Sequence, residues 1–354
     1  MAALMPSYAS MKRKALIVLS SARTLPLREP AGHAGISTGF FLVELARLLH
    51  EFERDYSFTF ATPDGLPPQL DVNGLALPFH AGRLLGPMAA LARVQQARRF
   101  DVRCYRRRHS VLVDRREAEL WLARNHLGRI PVSDLLPNSD KEVELLREDV
   151  VDSFQLVPEH PYLSLPELIG RHRDLSDQFS LGEYDFVHMP GGHAPMVDFD
   201  ENPWMGELLN VLYEQGTIIS LICRAPVALA SAKYRITAFG TTRTNYRHPF
   251  VGARVTTVPA RAEKLMLATG YPKVPDRRTR LTYFVDEALR GAGYRVATTL
   301  KPAAVKVVWD ERRRLLTGNG PQAVYEQVAR LRAILREARR AGARGAGAFV
   351  DHRF

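Results

Sequence analysis

The stretch 217-TIISLICRAPVALASA-232 decides how this chain is read. An apolar, β-branched run stops at Cys223, and an Ala/Leu-rich, helix-like segment starts directly after it. A short continuous apolar run of this kind fits a strand buried on both faces of a parallel sheet. A residue on the sharp turn from such a strand into a helix projects from the top of the sheet, the logic of a nucleophile elbow, although the Gly-x-Ser-x-Gly pattern is absent. For a cysteine, a helix N-terminus and the adjacent Arg224 both favour the thiolate. The competing reading is a buried small hydrophobe, the common fate of a free cysteine, and the strand-to-helix position weighs toward function.

Working outward, 184-YDFVHMPGGHAP-195 is a strand ending in a glycine turn, and 203-PWMGELLNVLYEQG-216 is a helix leading into the central stretch. Near the start, 14-KALIVLSS-21 is a buried strand, a helix spans about 39–53 with Ser37 or Thr38 as cap, and 56-YSFTFATP-63 is a second strand broken by 64-DG-65. Beyond the centre, 234-YRITAFG-240 reads as a strand and 280-RLTYFVDEALRGAG-293 as a helix. Residues 304–310 and 315–321 fit strands or a hairpin, and a helix closes the pattern from about Gln322 to Arg340. The alternation predicts an α/β fold: a doubly wound, mostly parallel sheet with helices on both faces. Such sheets hold their sites beyond the carboxyl ends of the strands, where both 190-PGGHAP-195 and Cys223 fall.

From residue 82 to 181 the pattern turns charged and helix-like, over 83–100, 114–128 and 139–156, punctuated by Pro131, Pro137, Pro158, Pro161 and Pro166. The expected organisation is therefore a lead-in at 1–12, an α/β core at 13–81 and 182–340, a helical insertion or cap at 82–181, and a basic tail at 341–354. The chain has 354 residues, 46% hydrophobic and 25% charged, enough for a large core. With only Cys104 and Cys223 a disulfide framework is not expected, and the reading is a reducing, cytoplasmic compartment. The run 15-ALIVL-19 is too short for a membrane span or a signal-peptide core. The net charge of +11 fits nucleic-acid affinity, an anionic substrate or an Arg-rich proteome equally, and charge alone does not decide. The run 93–116 carries nine arginines and two aspartates, but apolar residues between them point to a packed helix with a solvated basic face, so no nucleic-acid partner is expected.

The combination 186-FVHMPGGHAPMVDF-199, 217-TIISLICRAPVAL-229, 37-STGFFLVELARLL-49 with 60-FATPDG-65, 281-LTYFVDEALRGAGYRV-296 and 314-RLLTGNGPQA-323 resembles the ThiJ/PfpI superfamily. Within it, the resemblance is to the branch of glyoxalase III enzymes and heat-shock holding chaperones, whose fold is that of class I glutamine amidotransferases. It covers most of 13–80 and 180–335 and leaves out the insertion. It implies Cys223 as nucleophile and Glu44, by the motif Thr-Gly-x-x-x-x-Glu-Leu, as the acid reaching the sulfur. Backbone N–H groups at Gly191 and Gly192 are expected to receive an oxyanion. Dimerisation is implied by the family alone.

One departure bears on mechanism. Members of this branch carry histidine after the nucleophile, as Cys-His-Gly-Pro, whereas here the run is Cys223-Arg224-Ala225-Pro226. Arginine cannot act as a general base. The acid that orients that histidine is expected near 238-AFGTT-242, where Thr241 and Thr242 stand instead. Either Arg224, Arg243, Arg247 and His248 rebuild the site for an anionic substrate, or the loop arginines are simply solvated. A base is sought among His193, His188 and His248. Family members can hold a metal near the cap, but the histidines here lack compact metal spacing, so neither metal nor cofactor is expected. The functional expectation is a cysteine-dependent, cofactor-independent enzyme acting on a small reactive carbonyl, by glyoxalase or hydrolase/hydratase chemistry. The rival is a non-catalytic holding chaperone or a redox-sensing module, and amidotransferase activity is set aside because no Cys-His-Glu triad is visible.

Overall fold

The computed structural model describes residues 12–82, 100–136, 139–269, 274, 276–301 and 304–347. Residues 1–11 of the lead-in expected at 1–12, residues 83–99 of the helix expected at 83–100, Pro137 and the last seven residues of the expected tail lie outside them.

In chain order the main elements are β1 (Arg13–Val18), α1 (Leu42–Phe52), β2 (Tyr56–Thr62), α2 (Val102–Arg108), α3 (Ser110–Leu127), α4 (Lys141–Gln155), β3 (Leu163–Ser164), α5 (Leu165–Arg173), β4 (Tyr184–Met189), α6 (Pro203–Glu214) and β5 (Ile218–Ile222). They continue with α7 (Ala260–Thr269), α8 (Val285–Gly291), β6 (Val307–Asp310), β7 (Leu315–Gly318) and α9 (Val324–Gly347). Seven strands form one sheet in the order β6-β7-β5-β4-β1-β2-β3. All neighbours pair in parallel except β6 with β7, a hairpin as anticipated. The doubly wound α/β expectation therefore holds.

The two faces follow from alternation along β1. Ala15, Ile17 and Leu19 join one buried cluster with α1, α3, α4 and α9, while Leu16 and Val18 join another with α5, α6 and α8. Successive strand side chains point to opposite faces, so a wholly apolar strand needs cover on both. The helices of 102–155 share the first cluster through Leu120, Leu127, Val143, Val150 and Phe154, and β3 extends the sheet edge beside β2. Register brings the ends of β4, β5 and β7 level: Met189 pairs with Leu221, and Gly318 with Ile222. Pro190 and Cys223 therefore leave the sheet at the same edge.

Local expectations needed correction where tertiary bonds won. The segment after Cys223 is a 3₁₀ helix, Ala225–Lys233, not an α-helix. Asn210 of α6 donates to the carbonyls of Ala232 and Tyr234, replacing the intrahelical bonding a longer α-helix supplies. α1 starts without a Ser or Thr side-chain cap, because it begins at Leu42 with Phe41 at the cap position, beyond the reach of the expected Ser37 and Thr38; Ser37 Oγ instead meets Gln69 and the Asp134 N–H. Only Tyr234–Ile236 of the expected strand 234–240 is extended, and it pairs with Thr242–Thr244 outside the main sheet. The helix expected at 280–293 shortens to α8, its first residues pairing instead with Leu27–Glu29. The basic face of 93–116 is not wholly solvated: Arg116 is buried and forks onto Glu142, which also binds Arg106.

Candidate active site

Cys223 sits at the end of β5 with φ of 63°, a left-handed conformation that side chains other than glycine adopt at a cost of about 1–3 kcal/mol. Neighbouring bonds hold it there. Its N–H donates to the Gly318 carbonyl at 2.9 Å, and its carbonyl accepts from Thr257 Oγ1 at 2.6 Å and from the Val258 N–H. The strained turn at the carboxyl end of a central strand is the elbow anticipated from the sequence, but Cys223 is 1% exposed.

Glu44 reaches the same point from the first turn of α1. Its carboxylate accepts from the Gly191 N–H at 2.7 Å and engages the Cys223 thiol. Burial, offset in part by the Gly191 N–H, the thiol and Arg224, pushes the carboxyl up to about 7. α1 is locked at this depth by a buried chain of hydrogen bonds. The Glu44 carbonyl can only accept, so His188 Nε2 donates to it at 3.1 Å and His188 Nδ1 accepts from Ser220 Oγ, which in turn accepts from Gln327 of α9. Burial lowers His188 to about 4, so it is a neutral structural histidine and not a base.

Gly191 and Gly192 are required by close approach. A Cβ at Gly191 would stand 2.5 Å from that of Cys223, and one at Gly192, whose φ is 95°, would meet the Gly39 carbonyl oxygen at 2.0 Å. The Gly191 N–H is spent on Glu44 and does not stand free for an oxyanion, whereas the Gly192 N–H is directed at the sulfur.

Arg224 does not project to solvent. It is 2% exposed, its Nη1 donates to Cys223 Sγ at 3.3 Å and its Nε binds Glu263 Oε1. Glu263 Oε2 lies 3.4 Å from His193 Nε2. Burial alone would raise the Glu263 carboxyl, but Arg224 and His193 overcome it and hold it at about 2, firmly ionised. Burial, with the charge of Arg224, lowers His193. The thiol itself moves against expectation. Burial and the charge of Glu44 push it up, and the opposing pull of Arg224 and the Gly192 N–H does not compensate.

The structure thus brings together Cys223, Glu44, Gly191, Gly192, His193 and Arg224, and leaves Arg243, Arg247 and His248 elsewhere. Arg243 and Arg247 are exposed on the peripheral hairpin and the turn after it, and His248 packs with Phe250 and Tyr294. The residue that sequence reading missed is Glu263. The acid was sought near Thr241 and Thr242, which are exposed, yet it comes from α7, a helix not anticipated. The available signal was a glutamate between Ala262 and Leu267 on the apolar face of 260–269. Among the described residues no group of His, Cys, Asp and Glu is disposed to hold a metal, and no helix is long and apolar enough to cross a membrane.

Residues 173–331, spanning β4 to α9 and including Cys223, match the model of the DJ-1/PfpI family. In this part the chain is similar to the DJ-1/PfpI family. A search of curated proteins returns no match. Among solved structures, Rapid Encystment Protein 24 kDa of Francisella tularensis is similar at 14% identity over 91% of this chain and 99% of that one, with a TM-score of 0.50. Glyoxalase III of Candida albicans aligns at 14% identity over 91% and 96% of the two chains, with a TM-score of 0.47. DJ-1beta of Drosophila melanogaster aligns at 15% identity over 97% and 100%, with a TM-score of 0.39. At 14% identity the likeness to the Francisella protein concerns the fold, and function rests on the site itself.

Proposed function

We propose that this chain is a cofactor-independent enzyme that uses Cys223 to attack a small reactive carbonyl, with Glu44 moving the proton. The observation carrying this reading is the strained Cys223 turn with the Glu44 carboxylate fixed against the thiol by the Gly191 N–H. A carboxyl poised at about 7 exchanges a proton near neutrality, where a general acid–base is most effective. Glu44 takes the thiol proton as sulfur bonds to the carbonyl carbon and the C=O π pair moves to oxygen. The Gly192 N–H and Arg224 lie on the sulfur side to meet that charge. Glu44 returns the thiol proton to the new alkoxide. For a 2-oxoaldehyde it then takes the proton from the former aldehyde carbon and delivers it to the neighbouring carbon while the hydroxyl proton passes to the ketone oxygen, and water cleaves the resulting thioester to a hydroxy acid and the free thiol. Arg224 supports a version specialised for an anionic substrate, since a buried guanidinium is matched to a carboxylate.

Turnover of methylglyoxal and of a 2-oxoaldehyde that carries a carboxylate at its far end, by the parent, Cys223→Ser and Glu44→Gln proteins, tests this. Activity on either compound that Cys223→Ser abolishes supports it, and turnover of the carboxylated compound alone selects the anionic version. A second reading, a non-catalytic holding chaperone or cysteine sensor of the same family, is favoured by the 1% exposure of Cys223. Suppression of client aggregation that survives Cys223→Ser, with no turnover, would select it.

A further inference from the structure

Glu263 stands where a bound carboxylate would stand. One guanidinium joins it to the nucleophile: Arg224 Nε binds Glu263 Oε1, and Nη1 of the same group is 3.3 Å from Cys223 Sγ. His193 faces the other oxygen at 3.4 Å. The side chains of Arg224, Glu263 and His193 are all 2–3% exposed. None of three surface cavities, of about 570, 760 and 790 Å³, is lined by any of these residues or by Cys223. The segment 257–269 packs against this group. Thr257 and Val258 bind the Cys223 carbonyl, and α7 turns Ala262, Glu263 and Leu267 inward while Arg261, Lys264 and Leu265 face out.

We propose that Glu263 is an internal carboxylate occupying the anion subsite of Arg224 and His193, and that the substrate is a small carboxylate, electrophilic at the carbon next to its carboxyl group, which displaces it. This rests on the reading of Cys223 as nucleophile. A guanidinium buried without an anion is strongly disfavoured, so α7 can leave the site at low cost only when another anion takes its place. Exchange of one carboxylate for another replaces the ion pair that Glu263 gives Arg224, whereas a neutral ligand forfeits that ion pair, and the difference is the basis of selection. A planar guanidinium that binds a carboxylate through one nitrogen and the sulfur through the next holds the carbon beside that carboxylate close to Sγ. α7 is thereby both the gate and the competitor of the substrate.

Iodoacetate and iodoacetamide differ in charge but not in leaving group, and iodoacetate carries its electrophilic carbon beside a carboxylate. Their rates at Cys223 are compared in a Cys104→Ser background. Glu263→Gln is expected to raise the iodoacetate rate at least about tenfold more than the iodoacetamide rate, the kinetic worth of one charge-assisted hydrogen bond. Adding Arg224→Gln returns the ratio to that of the parent. Equal acceleration of both reagents, or of neither, overturns the anion subsite while leaving the nucleophile reading intact. A Cys223 that neither reagent labels in any folded variant, although both label it after unfolding, overturns the nucleophile reading and this inference together. Should Glu263→Gln fail to fold, pyruvate slows iodoacetate labelling of the parent protein and acetone does not, and equal effects of the two overturn the subsite.

Discussion

At the scale of single residues, the site is governed by how buried charges are paired. Glu44, raised to about 7, binds its proton more tightly in the folded chain than in the unfolded one. Its contribution to stability is therefore complete below about 4.5, falls as pH rises, and levels off above about 7, a loss of the order of 3 kcal/mol at 1.36 kcal/mol per unit. Glu44→Gln removes this dependence. Thermal unfolding from pH 4 to 8 should show the variant gaining on the parent as pH rises, and parallel curves would refute the buried ionisation. Glu263, held at about 2, has the opposite sign and contributes stability that is complete above about 4.5 and is lost as pH falls from there through about 2. Arg224→Ala leaves Glu263 buried against His193 alone, so a loss of about 3–5 kcal/mol is expected in urea unfolding. Arg224→Leu with Glu263→Leu should recover most of it, and a double-mutant coupling below about 0.5 kcal/mol would contradict the pairing. Cys223, Glu44 and Arg224 were legible in the sequence because motif and position named them. Glu263 was not, since nothing local marks a glutamate as the partner of an arginine 39 residues away.

At the scale of elements, the site depends on backbones that approach without side chains between them. Gly192 closes on Gly39, so Gly192→Ala meets a carbonyl oxygen and an unfavourable φ together. Destabilisation of about 2–5 kcal/mol is expected, with a lowered Tm as the readout and an unchanged Tm as the contrary result. The docking of α3 rests on Arg116, whose guanidinium binds Glu142 of α4 twice and the Leu75 carbonyl once. Arg116→Ala should cost about 3–5 kcal/mol, whereas Arg103→Ala, on the exposed side of α2, should fall within about 0.5 kcal/mol of the parent. Long periodic elements such as β1, β2, β4, α6 and α9 could be read directly. The 3₁₀ turn after Cys223, the uncapped start of α1 and the truncated α8 could not, because each follows from a hydrogen bond to a distant element.

At the scale of the whole molecule, the Cys223 thiol is buried at the end of the sheet. Cys104 is half-buried on α2, whereas Cys223 has 257–269 packed against it. A thiol-specific disulfide reagent should therefore modify one cysteine of the native protein quickly and the second only as that packing opens or the chain unfolds. Equal rates for the two would show that the burial does not exist in solution. The sequence by itself determined the α/β class, the pairing of the glycine turn with the cysteine turn, and the meeting of Glu44 with both. Those properties are carried by apolar periodicity and by motifs contiguous in the chain. Only the tertiary structure decided that Arg224 turns inward, that the acid facing it comes from α7, and that the thiol is pushed up rather than down. The physical reason is that burial and charge pairing are set by what distant segments bring to within a few ångströms of a side chain, and the order of residues along the chain does not record that distance.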